Sequence, residues 1–167
     1  VTFGLAIAAG SALLAAVATL GGRFDPVAPP VIVCACPVAL LGIDIVVGGP
    51  LQLNTVFGYS PIVAGRFAGY GNQAFSILTI CALVAVTGGW EISRRRSPGS
   101  SNTGRLIAAI AVFLAVVVLD GSPTWGSDVG GVLASIPAFA VCILVLLGIR
   151  IRLRLIALIG AATVGVL

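Results

Sequence analysis

Long runs of apolar residues, separated by short polar or glycine-rich segments, make up most of this chain of 167 residues. A helix needs about 20 apolar residues to cross the hydrocarbon core of a bilayer, and most of the runs approach that length. The pattern predicts an all-α fold, a single polytopic transmembrane helix bundle over residues 1–167 with about five or six spans. The predicted spans lie near residues 3–20, 31–47, 73–90, 106–119, 131–149 and 155–167.

Prolines and polar residues mark the breaks between the predicted spans. Pro29 and Pro30 predict that residues 21–30 form a turn, because proline inside a helix removes a hydrogen bond and clashes with the preceding turn. Pro37 predicts an interruption of the second span for the same reason. Residues 91–105 are rich in serine, glycine and arginine, and they predict the one clearly soluble loop.

Two connectors, residues 48–72 and 121–130, are rich in glycine rather than in charged residues. The first is either an outer loop or, over residues 61–67, a re-entrant segment whose polar backbone groups are satisfied by protein or water. Both connectors carry two glycines four residues apart, at 65 and 69 and at 126 and 130. That spacing indicates either close helix packing or a backbone cradle for an anion.

The composition excludes a soluble domain. Charged residues are 8% of the chain and the mean hydropathy is +1.21, whereas soluble domains carry about 25% charged residues. The chain has no histidine and no lysine, so neither can serve as general base, metal ligand or Schiff-base amine. The net charge of +4 comes from arginines beside apolar runs, which indicates membrane topology and not nucleic-acid binding.

The distribution of arginine predicts the orientation in the membrane. Eight of the nine arginines fall in residues 21–30, 91–105 and 150–154, which alternating spans place on one side. Arginine-rich loops face the cytoplasm, so we expect a plasma-membrane protein with these loops inside. The connectors 48–72 and 121–130 are then extracytoplasmic.

The expected outer side also carries most of the residues that could bind a substrate. Carboxylates at the ends of spans should face protein or water, because a carboxylate in lipid costs a few kcal/mol. A single arginine on this side offers a rigid set of donors for a carboxylate or phosphate. The predicted substrate-binding residues are Asp44, Asn54, Tyr59, Arg66, Asn72, Asp120 and Asp128.

Simpler roles for the same residues remain open. An ion pair between Arg66 and an aspartate would fix two loops to the bundle, and aspartates at helix ends are often caps. The pattern identifies no catalytic residue, no metal ligand and no cofactor. The aromatic residues near span ends, Tyr59, Phe67, Tyr70, Trp90 and Trp125, are typical of the aromatic belt of membrane proteins.

Residues 51–72 (LQLNTVFGYSPIVAGRFAGYGN) and 120–131 (DGSPTWGSDVGG) resemble signature segments of large, uncharacterised multi-pass cell-envelope proteins of bacteria, actinobacterial ones especially. The resemblance implies a plasma-membrane location and a longer parent chain. It supplies no reaction, and it draws attention to the same polar residues of the two connectors.

Three functions remain open at this stage. The first is a transporter or flippase-like protein whose outer polar pocket handles an anionic or lipid-linked substrate. The second is a membrane-embedded enzyme of envelope biogenesis that uses aspartate carboxylates, alone or with a divalent metal. The third is a structural subunit without chemistry. The expected partners are membrane lipids, and either the remainder of a longer chain or other membrane subunits, but no nucleic acid.

Overall fold

The computed structural model describes residues 2–52, 69–150 and 160–161, and within them the chain is helical with no strands. The described residues up to 150 form five helices: α1 (Thr2–Gly22), α2 (Ala28–Val46), α3 (Asn72–Arg96), α4 (Asn102–Gly121) and α5 (Val129–Leu146). Helices α2 to α5 are long and apolar enough to cross a membrane, and α1 contributes a shorter apolar stretch, Ile7–Gly22. The predicted all-α bundle is confirmed.

Large apolar side chains cover the outside of this bundle. Leu13, Ile80, Ile107 and Val145, on four different helices, are each at least 60% exposed. A soluble protein rarely shows apolar surface on this scale, whereas a bilayer solvates it. The protein is therefore embedded in a membrane.

The start of α2 corrects the predicted turn over 21–30. The helix begins at Ala28, and Pro29 and Pro30 lie in its first turn. Proline is tolerated there, because the first N–H groups of a helix have no partner within the helix. Asp25 organises the short turn before it by accepting a hydrogen bond from the Val27 N–H at 2.8 Å.

The predicted soluble loop over 91–105 is largely wrong, because helix occupies both of its ends. Helix α3 continues to Arg96, and only residues 97–101 separate it from α4. Glu91 accepts hydrogen bonds from Arg94 and Arg95, one turn further along the helix, at 2.8 and 2.7 Å. These pairs and the arginines of the last turn favour helix beyond the apolar stretch.

Other boundaries also differ from the prediction. Helix α2 passes through Pro37 without a break, so the predicted interruption is wrong. Helices α4 and α5 leave only residues 122–128 between them, where a connector over 121–130 was expected. The predicted re-entrant segment and most of the sixth span lie outside the described residues.

Helix α3 lies at the centre of the bundle and packs on α2, α4 and α5. Within the described part of the chain, α1 packs against α2 alone. The core contains Leu41, Leu78 and Val116 from three different helices. Phe113 of α4 stacks on Phe139 of α5, with ring centroids 4.2 Å apart. Neighbouring helices run antiparallel, so the connectors fall at two opposite ends.

The two ends differ in charge. One end, the arginine end, comprises residues 23–27, 97–101 and 147–150 with the adjoining turns. The other, the carboxylate end, comprises residues 47–52, 69–71 and 122–128 with the adjoining turns. All six arginines that the structure describes lie at the arginine end: Arg23, Arg94, Arg95, Arg96, Arg105 and Arg150. Three of the five carboxylates lie at the carboxylate end: Asp44, Asp120 and Asp128.

Candidate functional site

Asp44 lies in the last turn of α2, and its side chain is only 4% exposed. The chain reverses directly after the helix through Gly48 and Gly49, whose φ angles of 105° and 70° belong to the left-handed region that favours glycine. This reversal brings the next residues back over the carboxylate. Asp44 accepts hydrogen bonds from the Leu51 N–H at 2.8 Å and from Gln52 Nε2 at 2.7 Å.

Gln52 is itself 3% exposed, so the pair with Asp44 is buried. Its Nε2 donates to the Asp44 carboxylate. Its Oε1 accepts no hydrogen bond from any residue that the structure describes. A buried amide oxygen without a donor costs roughly 1–3 kcal/mol. The amide of Gln52 is therefore an acceptor that can take a donor at this end of the bundle.

Tyr70 lies between the end of α2 and the 122–128 connector, and it is completely buried. Its hydroxyl donates to the backbone oxygen of Leu41 at 2.7 Å, one turn before Asp44. Its backbone N–H donates to the Gly126 oxygen at 3.2 Å. Burial raises the pKa of Tyr70, and the charges of Asp120 and Asp44 raise this pKa further. The phenol thus lies within the electrostatic field of both carboxylates.

The preceding residue requires glycine. Gly69 has a φ of 82°, and a Cβ added there would overlap the backbone oxygen of Gly126. Both glycines lie in connectors and not in helices. Because Gly126 lies outside α5, which contains Gly130, the helix-packing interpretation of the 126–130 spacing is wrong. What Gly69 and Gly126 permit is close approach of two backbones.

Asp120, in the last turn of α4, is completely buried. Its backbone oxygen accepts a hydrogen bond from the Asp128 N–H at 3.0 Å. A Cβ added at Gly131 would overlap Asp120 Oδ2 and would lie 2.9 Å from the ring of Phe75. The carboxylate is thus enclosed between α3, α4 and the start of α5, in a space that exists only because residue 131 has no side chain.

Asp128 is 5% exposed and caps α5. Its Oδ1 accepts a hydrogen bond from the Gly131 N–H at 3.1 Å, which satisfies one of the free donors of the first turn. The capping role that the sequence left open for helix-end aspartates is therefore confirmed for Asp128. Asp120 lies at the C-terminal end of α4, so its carboxylate is not an N-terminal cap of that helix.

The structure brings three of the seven predicted site residues, Asp44, Asp120 and Asp128, to the carboxylate end, and the charges of Asp120 and Asp44 act on Tyr70. Asn72, at the start of α3, lies close to Tyr70 in sequence, but it is exposed. The remaining three, Asn54, Tyr59 and Arg66, lie outside the described residues.

The residues predicted from the sequence as substrate-binding include neither Tyr70 nor Gln52. The aromatic-belt interpretation is wrong for Tyr70 and for Trp90, which are 0% and 7% exposed. A belt residue would lie on the lipid-facing surface. The one available signal was the position of Tyr70 between two glycines, in a segment too polar to be a span.

The chemistry of this cluster is that of buried oxygen groups. Three carboxylates, one phenol and one amide meet at the carboxylate end, and no arginine among the described residues accompanies them. Such groups can exchange protons or bind a cation, and an anion requires a positive group beside them. Within the described part of the chain, no three metal-binding side chains converge on one point.

Comparison with known proteins finds no matching family model, no matching curated protein and no matching solved structure.

Proposed function

We propose that this membrane protein handles an anionic or lipid-linked substrate, as a transporter or flippase-like protein, with the cluster around Tyr70 as its site. The observation that carries the proposal is Asp120, a carboxylate with no exposed surface at the end of a membrane-spanning helix. An ionisable group within a membrane bundle is costly and usually functional. A neutral asparagine would fill the same space without that cost.

The proposal assigns the anion to Arg66, in the segment 53–68. The two described residues next to this segment, Gln52 and Gly69, both lie in the cluster. This position of the two flanking residues supports the participation of the arginine. In the proposed mechanism Arg66 holds a phosphate or carboxylate of the substrate, and the buried carboxylates of Asp44 and Asp120 position the arginine when the substrate leaves.

The proposal also includes the orientation expected from the sequence. All described arginines lie at the arginine end, which we place in the cytoplasm by the positive-inside rule. The cluster then faces the outside of the plasma membrane. The resemblance to actinobacterial envelope proteins fits this location and belongs to the same proposal.

A lipid-movement assay tests the function. The purified protein is reconstituted in vesicles that contain fluorescent phosphatidylglycerol or a fluorescent polyprenyl phosphate, and an impermeant reductant bleaches the outer leaflet. We expect wild-type protein to move the inner-leaflet probe to the outer leaflet, where the reductant bleaches it. Asp120→Asn should lower the rate of this movement about tenfold or more, and a tenfold change corresponds to roughly 1.4 kcal/mol.

Asp25→Asn is the matched control. Asp25 is 7% exposed, it accepts a local backbone hydrogen bond, and it lies at the arginine end. We expect this variant to retain wild-type rates. If wild-type protein moves neither probe, the flippase-like function is wrong. Conversion of a probe into a new product would favour the membrane-embedded enzyme, and loss of folded Asp120→Asn protein would favour the structural role.

A further inference from the structure

An apolar groove lies between α2, α3 and α4 in the half of the bundle next to the arginine end. It is open on one side, has a volume of about 540 Å³, and is lined mostly by small side chains, among them Ala35, Ala85 and Ala108. The glycines of α3 confirm the open space independently. A Cβ added at Gly89, which lines the groove, would meet no atom within 4 Å, whereas one at the adjacent Gly88 would overlap a side chain of α2.

A second cavity of about 550 Å³ adjoins the groove at the arginine end, and its lining is polar and basic. Arg94, Arg95 and Arg105 line it, and Arg105 lines the apolar groove as well. The guanidinium of Arg105 is held in place by Ser93 Oγ at 3.2 Å and by the Ser97 backbone oxygen at 2.5 Å. The two cavities therefore meet at an ordered positive charge.

We propose that the groove and the basic cavity together bind one anionic phospholipid. One of its two acyl chains lies in the groove, the other lies in the surrounding bilayer, and the headgroup phosphate lies among Arg94, Arg95 and Arg105. These arginines outnumber the single neighbouring carboxylate, Glu91, so the cavity carries a net positive charge that complements a phosphate. This site is independent of the proposed function, since it lies at the opposite end of the bundle.

The length of the groove fits a lipid tail. Along α4 the groove extends from Gly104 to Val112, about 12 Å at 1.5 Å per residue. That length is most of one leaflet, which is about 15 Å of hydrocarbon.

Trp90 provides a direct readout, because it lines the groove and only one other tryptophan exists in the chain. In a Trp125→Phe background, the full chain is reconstituted in phosphatidylcholine vesicles with small amounts of brominated lipid, whose bromines quench tryptophan at short range. We expect brominated phosphatidylglycerol to quench at much lower mole fraction than brominated phosphatidylcholine. Each arginine contributes about fivefold to this preference, from roughly 1 kcal/mol per charge.

Two pairs of variants complete the test. The double variant Arg94→Gln/Arg95→Gln should reduce the preference for phosphatidylglycerol about 25-fold. The double variant Arg96→Gln/Arg150→Gln removes the same charge from the same end and should preserve this preference.

Ala108→Phe should block quenching by filling the groove, and the exposed Ala111 on the same helix gives the control Ala111→Phe. Equal quenching by the two lipids, or an equal loss in both charge variants, would overturn the proposal. Absence of quenching by either lipid would overturn it as well.

Discussion

The enclosure of the Asp120 carboxylate by Gly131 gives a prediction that isolates one steric contact. Gly131→Ala places a methyl group where Asp120 Oδ2 lies and 2.9 Å from the Phe75 ring. The adjacent Gly130 is the matched control, because its added Cβ would lie 3.4 Å from Asp128 Oδ1, an ordinary contact. Both positions are in the first turn of α5.

The magnitude follows from the difference between the two variants. Replacing glycine by alanine within a helix stabilises it by up to about 1 kcal/mol, and this gain is similar at both positions, so it cancels. What remains is the overlap, and overpacking of a closed site costs about 1–3 kcal/mol. We therefore expect Gly131→Ala to be less stable than Gly130→Ala by about 1–3 kcal/mol.

Thermal unfolding of the two purified variants in the same detergent measures this difference. For chains of this size, each kcal/mol corresponds to roughly 2–4 °C in the unfolding midpoint. Gly131→Ala should also impair the lipid movement expected of the wild type, because the methyl group displaces the carboxylate. Equal midpoints for the two variants would refute the packing of Gly131 on Asp120.

Two further predictions concern the carboxylate end and the orientation. Tyr70→Phe removes the hydrogen bond to the Leu41 oxygen and should lower the free energy of unfolding by about 1 kcal/mol, measured by the same thermal assay; an unchanged midpoint would contradict it. In a background without the native cysteines, Thr124→Cys should react with an impermeant maleimide from outside intact cells, and Ser100→Cys should react only after lysis. The reverse labelling pattern would show that the proposed orientation is wrong.

The approximate positions of the five described helices could be predicted from the sequence, because a membrane span needs only a long apolar run. The exact ends could not. Pro29 and Pro30 suggest a break when they are read alone, yet both fit the first turn of a helix. Glu91 and the arginines after it suggest a loop by their polarity, yet their spacing stabilises helix that extends beyond the apolar stretch.

The candidate site was partly predictable for a similar reason. Alternation of the spans is enough to place Asp44, Asp120 and Asp128 at one end of the bundle. It does not show which aromatic residue is buried among them. Tyr70 bonds to Leu41, 29 residues earlier in the chain, and to a connector more than 50 residues later. Such contacts depend on how the helices pack, which no local pattern encodes.

The two hydrogen bonds of Tyr70 have a mechanical consequence. Its side chain is attached to the hairpin of α1 and α2, and its backbone is attached to the hairpin of α4 and α5. Sliding of one hairpin past the other must therefore break a bond at this single residue.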